Sequence, residues 1–286
     1  MRYEIKRRLS EEYAEYKRKQ EDYLRRIERF RLLDDDFFTK CFEEAPECTQ
    51  LLLHVILDRA DLQVEEVKVQ YNIKNLQGRS VRLDVFAVDD AGKRYNIEIQ
   101  RSDRGAGAKR ARYNSSLLDS NILFSGEDTE ELPESYVIFI TEHDVLGGNK
   151  AVYHVERTIR ETGSLFGDGS HILYVNGAYR DGTPIGKLMH DFACIDPDHM
   201  NYKLLADRVR YFKRTEKGVR SMCKIMEDFG REVAEEVTKQ VTKQVTEQKI
   251  LEHIKMLIKN LNLTLEEAMD ALNIPSEDRA YYRSQI

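Results

Sequence analysis

The run Ser135-Tyr136-Val137-Ile138-Phe139-Ile140-Thr141 constrains the fold of this chain more than any other segment. Its apolar residues are consecutive, so a strand formed here has no polar face to turn to water. Such a strand is stable when both faces are covered, which is the situation inside an α/β body. The flanking sequence supplies the cover. Thr49–Leu57 reads as an apolar helix, and residues 105–124 have helical texture, with Tyr113, Leu117 and Phe124 as candidate sheet-facing positions. Val64–Ile73, Val81–Val88 and Arg94–Gln100 read as three strands. Asn75-Leu76-Gln77-Gly78 and Asp89-Asp90-Ala91-Gly92 read as the turns between them. A further strand pair surrounds 152–157 and 171–176. The order predicts an α/β fold with a mixed central sheet flanked by helices, plus helical extensions.

The extensions lie at both ends. Residues 1–33 read as a charged helix with eleven Lys or Arg against seven Asp or Glu, and with Leu9, Tyr13, Tyr16, Leu24, Ile27 and Phe30 as an intermittent apolar stripe. Residues 34–215 hold the α/β body, and 216–286 form a helical tail. In that tail Val233, Val237, Val241 and Val245 recur every fourth residue, a spacing that lines one helix face. Valine is a poor helix former, so this face calls for cover, either from the body or from a second copy of the chain in a homo-oligomer. Thr264 and Glu267 have capping-box spacing ahead of Ala268, Leu272 and Ile274, and a second short helix follows Pro275. Glu277 and Asp278 make that last helix a poor DNA reader.

Net charge and cysteine pattern narrow the function. A formal charge of -6 excludes a strongly basic coating protein but not a local basic patch. Cys41, Cys48, Cys194 and Cys223 form no C-x-x-C pair, which points to free thiols rather than a disulfide framework or zinc ribbon. The N-terminus lacks an apolar leader and no 18-residue apolar run occurs, so a cytoplasmic protein without a membrane span is expected.

The chemistry-bearing residues sit on the hairpin. Asp84 lies mid-strand, while Glu98 and Gln100 share a face of the next strand. Counted from the turn near Gly92, Asp84 and Glu98 fall at similar depth, so the hairpin can bring both carboxylates together. Two buried carboxylates repel, and a divalent cation removes that cost. Magnesium accepts one or two carboxylates with waters and phosphate oxygens, which is the coordination needed for phosphodiester hydrolysis. The competing expectation is a salt-bridged sheet in which Arg82 and Arg94 neutralise the pair. Immediately downstream, Arg101, Arg104, Lys109, Arg110 and Arg112 face a single acid, Asp103. This excess, together with the free N–H groups of a helix start, suits a DNA phosphate backbone.

Arg82-Leu83-Asp84-Val85 followed by Tyr95-Asn96-Ile97-Glu98-Ile99-Gln100 resembles the PD-(D/E)XK nuclease superfamily. More narrowly, the chain looks like the nuclease-family transposases related to recombination-promoting nucleases. The likeness runs on through Arg112-Tyr113-Asn114, Phe139-Ile140-Thr141-Glu142, Tyr174-Val175-Asn176-Gly177 and Gly186-Lys187-Leu188-Met189-His190-Asp191-Phe192. It implies a restriction-endonuclease-like core and metal-dependent DNA endonuclease activity, with Mg2+ as cofactor and Mn2+ or Ca2+ as substitutes. It also implies residue roles: Asp84 and Glu98 as metal ligands with the Ile99 carbonyl, Asp36 (or its neighbour Asp35) as an assisting acid on the first core helix, and Arg112 in phosphate contact or ion pairing. Gln100 occupies the place of the usual lysine, and its presence resembles a known variation within this nuclease group. Glutamine can orient water but brings no charge, so the alternative is a weakened or inactive nuclease core acting in DNA binding or protein assembly. Elsewhere His54 reads as a satisfied helix-face histidine, Gly147-Gly148-Asn149-Lys150 as a surface turn and Asp191 as structural.

Overall fold

A computed structural model describes residues 17–19, 21–75, 80–123 and 126–286, without the side chains of residues 103, 104, 229, 230, 232–237 and 239–245. The chain separates into two compact units, Met1–Met222 and Cys223–Ile286.

The first unit is built on a six-stranded mixed sheet. Strands β1 (Val64–Ile73), β2 (Val81–Asp89), β3 (Arg94–Gln100), β4 (Ser135–Thr141), β5 (Val152–Val155) and β6 (Ser170–Asn176) are ordered β1-β2-β3-β4-β6-β5. The meander β1-β2-β3 is antiparallel, β3-β4 and β4-β6 are parallel, and β5 closes one edge antiparallel to β6. The tight turn after β2 has physical causes. Gly92 takes a left-handed φ of 77°, and Asp89 Oδ1 accepts from the N–H groups of Ala91 and Lys93. As the apolar run requires, β4 is central, and Val137, Ile138, Phe139 and Ile140 are all fully buried.

Helices cover the sheet. α1 (Asp35–Phe42) and α2 (Pro46–Leu57) carry Phe37, Phe38, Cys41, Phe42, Leu52 and Leu53 into the core. α3 (Ala108–Ser120) packs Ala111 with Val137, Phe139 and Tyr174, and Leu117 and Leu118 with Leu83 and Phe86. α4 (Pro184–Ala193) places Phe192 6.0 Å from Phe38, and α5 (Lys203–Arg214) places Phe212 6.5 Å from Phe37, centroid to centroid. Asp191, fully buried, accepts from the backbone N–H groups of Asn201 and Tyr202 and from the Asn201 amide, so its task is to fix the connection between these helices. His54 is satisfied by the Leu62 carbonyl at 2.6 Å, and Asp144 gathers the N–H groups of Gly147 and Asn149 into a surface turn.

Several sequence expectations are adjusted. The expected helix over 105–124 is a 3-10 turn, Asp103–Ala106, followed by α3, because Gly107 enters with extended backbone. Among the described N-terminal residues, 21–29 are helical, with Ile27 buried and Leu24 exposed. Residues 1–16, the turn at Leu76–Gly78 and Phe124 lie outside the described residues.

The second unit contains most of α6 (Glu216–Leu261), then α7 (Leu265–Ala271) and α8 (Ser276–Gln285). Ile254, Ala268, Met269, Ile274 and Tyr282 form its core, with Leu272 partly buried. The capping box of Thr264 and Glu267 is present in full and starts α7. The valine series falls within α6, but its side chains are outside the described residues. No helix among the described residues is long and apolar enough to cross a membrane.

Candidate acidic centre on the β2–β3 hairpin

The hairpin register explains the site. Val85 opposes Ile97 and Phe86 opposes Asn96, so the same register continued sets Asp84 opposite Glu98. Opposed residues of an antiparallel pair project from one face. β3 alternates sharply: Tyr95, Ile97 and Ile99 are apolar and buried, while Arg94, Asn96, Glu98 and Gln100 share the other face. Asn96 and Glu98 are nevertheless fully buried, and Asp84 is 7% exposed.

Each carboxylate has a different partner. Asp84 Oδ2 accepts from the Ile99 N–H at 2.9 Å, a bond that ties the acid to the neighbouring strand. Glu98 Oε2 accepts from Arg110 Nη2 at 2.8 Å, while Glu98 Oε1 is buried with no hydrogen-bond partner among the described residues. Arg110 Nη1 also donates to Gln100 Oε1 and to the Gly105 carbonyl, both at 3.1 Å. Gly105 is needed for that arrangement, since a Cβ there would stand 1.9 Å from Gln100 Oε1. The expected neutralisation by Arg82 and Arg94 is therefore replaced: the ion pair on Glu98 comes from α3, and the Nε of Arg94 is itself buried without a partner.

Burial and mutual repulsion set the electrostatics. The Asp84 carboxyl is pushed well above its usual range by burial, then by the charges of Glu98 and Asp35. Glu98 is raised by burial, against the pull of Arg110. Asp35 at the start of α1 is raised by burial and by Asp36, with Arg82 and Arg110 pulling the other way. A cation is thus favoured beside this cluster.

The structure brings together Asp84, Glu98, Gln100 and Arg110, with Asp35 within electrostatic reach of both acids. Asp36 lies exposed in the first turn of α1. Ile99 is buried beside Asp84. The basic residues separate. Arg101 pairs with Asp34 and Glu142 at 2.9 and 3.2 Å, and Arg31 joins Glu142 from the other side. Lys109 and Arg112 are exposed on α3. The side chain of Arg104 lies outside the described residues. What sequence reading missed is the Arg110–Glu98–Gln100 connection. A signal for it exists in the period-two polar face of β3, four residues long, on a strand whose residues 95–99 are all buried.

Among the described residues, no group of three or more His, Cys, Asp or Glu side chains is gathered so as to hold a metal by itself. The donor set nonetheless fits an ion that keeps waters and borrows phosphate oxygens. It offers two adjacent carboxylates and an unsatisfied buried oxygen on Glu98. In comparisons with known proteins, residues 35–177, half of the chain, match a family described as PD-(D/E)XK nuclease family transposase. No curated protein and no solved structure matches.

Proposed function

The chain belongs to the PD-(D/E)XK nuclease family transposases, and from that premise we propose that it is a DNA-binding member whose cleavage centre is weakened. One observation carries this reading. The cation nearest the acidic pair, Arg110, is engaged by Glu98 and by Gln100, the residue that stands in the lysine position of the family motif. Gln100 supplies no charge of its own. DNA contact is assigned to the start of α3 and the segment before it, through Lys109, Arg110 and Arg112 with Arg101 and Arg104. Kinship with recombination-promoting nucleases is part of the same proposal and rests on the runs Phe139–Glu142 and Gly186–Phe192.

A second reading, a metal-dependent endonuclease, is favoured by the unsatisfied Oε1 of Glu98. In it Asp84, Glu98 and the Ile99 carbonyl hold magnesium, Asp35 or Asp36 assists, and Gln100 orients water. Bound magnesium would polarise a phosphoryl oxygen and lower the pKa of a coordinated water. The protein's own part is to present the two acids on a rigid hairpin and to place phosphates at α3.

The two readings separate in one experiment. Duplex binding and plasmid cleavage are measured in magnesium, manganese and calcium, beside Asp84→Ala and Glu98→Ala. Binding without cleavage supports the first reading. Cleavage lost in both variants, with folding and DNA binding kept, establishes the second. Cleavage undiminished in either variant would remove Asp84 and Glu98 from the site.

A further inference from the structure

Arg110 sits at the third position of α3, with its side chain 43% exposed, while the Glu98 side chain it grips is fully buried. The Arg110 guanidinium is occupied on three sides, by Glu98 Oε2, Gln100 Oε1 and the Gly105 carbonyl, and it lies 5.9 Å from the centre of the Phe139 ring. All three acceptors belong to β3 or to the connection between β3 and α3. A DNA phosphate arriving at the start of α3 meets an arginine whose forked donors already point inward.

The other cations of the basic segment stand differently. Arg101 is held by Asp34 and Glu142, away from the acidic pair, and Lys109 and Arg112 are exposed. Phosphate contact by any of these leaves Glu98 as it is. Contact by Arg110 does not. Arginine binds phosphate bidentately, and a phosphate competes with a carboxylate for the same fork. Once Arg110 turns outward, Glu98 loses the cation hydrogen-bonded to Oε2, while Oε1 already lacks a partner among the described residues. A buried carboxylate in that condition is costly and draws in a cation or a proton.

Resting on the reading of Glu98 as the acid of a DNA-binding centre, we infer that Arg110 is a transferable counter-ion. It closes the acidic pair while no DNA is bound, and it passes to a DNA phosphate on binding, which opens Glu98. Gln100 and Gly105 are the rest of the device. The glycine leaves space for the glutamine amide, and the amide oxygen and glycine carbonyl hold the arginine in its inward position. The consequence is linkage. DNA binding works against the Arg110–Glu98 bond, so weakening that bond strengthens DNA binding, by reciprocity.

A metal-free double-mutant cycle tests this. Affinity for a fluorescent DNA duplex is measured in EDTA by anisotropy for the full chain, Glu98→Gln, Arg110→Gln and the double variant, each checked for folding by thermal melting. Releasing Arg110 through Glu98→Gln is expected to tighten binding about fivefold, and less than about twofold in the Arg110→Gln background. A fixed ion pair gives the opposite order, because removing a carboxylate helps DNA most when no arginine neutralises it. An equal or larger gain in the Arg110→Gln background therefore overturns the inference while the nucleic-acid reading stands. Arg110→Lys is the second background. Lysine can still move to a phosphate, so the gain is expected to persist there, and its loss would argue against transfer. Failure of every protein to bind the duplex would overturn the inference and the DNA-binding reading together.

Discussion

β3 and β4 are neighbours in one sheet, parallel and paired residue by residue, yet they are built on opposite principles. Where β4 carries Val137, Phe139 and Thr141, β3 carries Asn96, Glu98 and Gln100 at the paired positions. Asn96 and Glu98 are buried as completely as Val137 and Phe139. β4 gains its place from apolar burial. β3 leaves Arg94 Nε, both amide atoms of Asn96 and Glu98 Oε1 buried without partners. Unsatisfied groups of this kind cost about 1–3 kcal/mol each, so the polar face of β3 opposes folding while its apolar face, with β4, favours it. The difference teaches where stability and function lie. The site is carried by a strand that contributes on one face only and relies on its neighbour for the rest.

The strongest way to break this comparison is to remove the apolar partner. Phe139 is fully buried, stacks 5.6 Å from Tyr174 and packs with Ala111 of α3. Phe139→Ala is expected to cost about 3–5 kcal/mol, read as a lowered denaturant midpoint. A loss below about 1 kcal/mol would mean that β4 is not the strand on which this part of the sheet depends.

The opposite sign is expected at the paired position and beside it. Burial raises the Asp84 and Glu98 carboxyls above the range in which the unfolded chain releases its carboxylate protons, for Glu98 against the pull of Arg110. The folded protein therefore binds more protons, and its stability falls as pH rises from the ordinary carboxylate range through the raised values of the pair. Glu98→Gln and Asp84→Asn abolish that cost. In EDTA each is expected to melt above the parent at pH 8, by roughly 1–3 kcal/mol of added stability. The advantage should shrink to nothing near pH 4. Asparagine at 84 keeps an acceptor for the Ile99 N–H, so a variant that melts below the parent at pH 8 would show that the acids are stabilising as they stand.

Much of this was legible beforehand because it follows from short-range rules. The continuous apolarity of Ser135–Thr141 placed β4 at the centre, and the Asp-Asp-Ala-Gly turn aligned Asp84 with Glu98. Thr264 and Glu267 announced the start of α7. The partner of Glu98 was not legible in the same way. Arg82 and Arg94 are closer in sequence along the hairpin, whereas Arg110 reaches Glu98 because Gly107 ends the 3-10 turn and α3 then packs over β4, the neighbour of β3. Which of five basic residues faces inward depends on that crossover angle and not on spacing. Likewise Asp34, Asp35 and Asp36 are equivalent in sequence. Asp35 and Asp36 are both exposed at the start of α1, and the rotation of that helix brings Asp35 into the field of Asp84.

The smallest expected effect sharpens the comparison at the end of β3. Gln100 pairs with Thr141, whose hydroxyl donates to the carbonyl of His143, just past β4, and lies within reach of that of Val175 in β6. Gln100 instead turns its amide toward the connection, over Gly105. A methyl group at 105 would meet the end of a flexible side chain, so Gly105→Ala should displace the amide at a cost under about 1 kcal/mol, within the range of mild overpacking. The same substitution in a Gln100→Ala background should cost close to nothing, because the clashing oxygen is gone. Thermal melting of the four proteins measures the coupling. Equal losses in both backgrounds would mean that Gly105 is required by the backbone of the turn, and that the glutamine amide is a passenger there rather than the reason for the glycine.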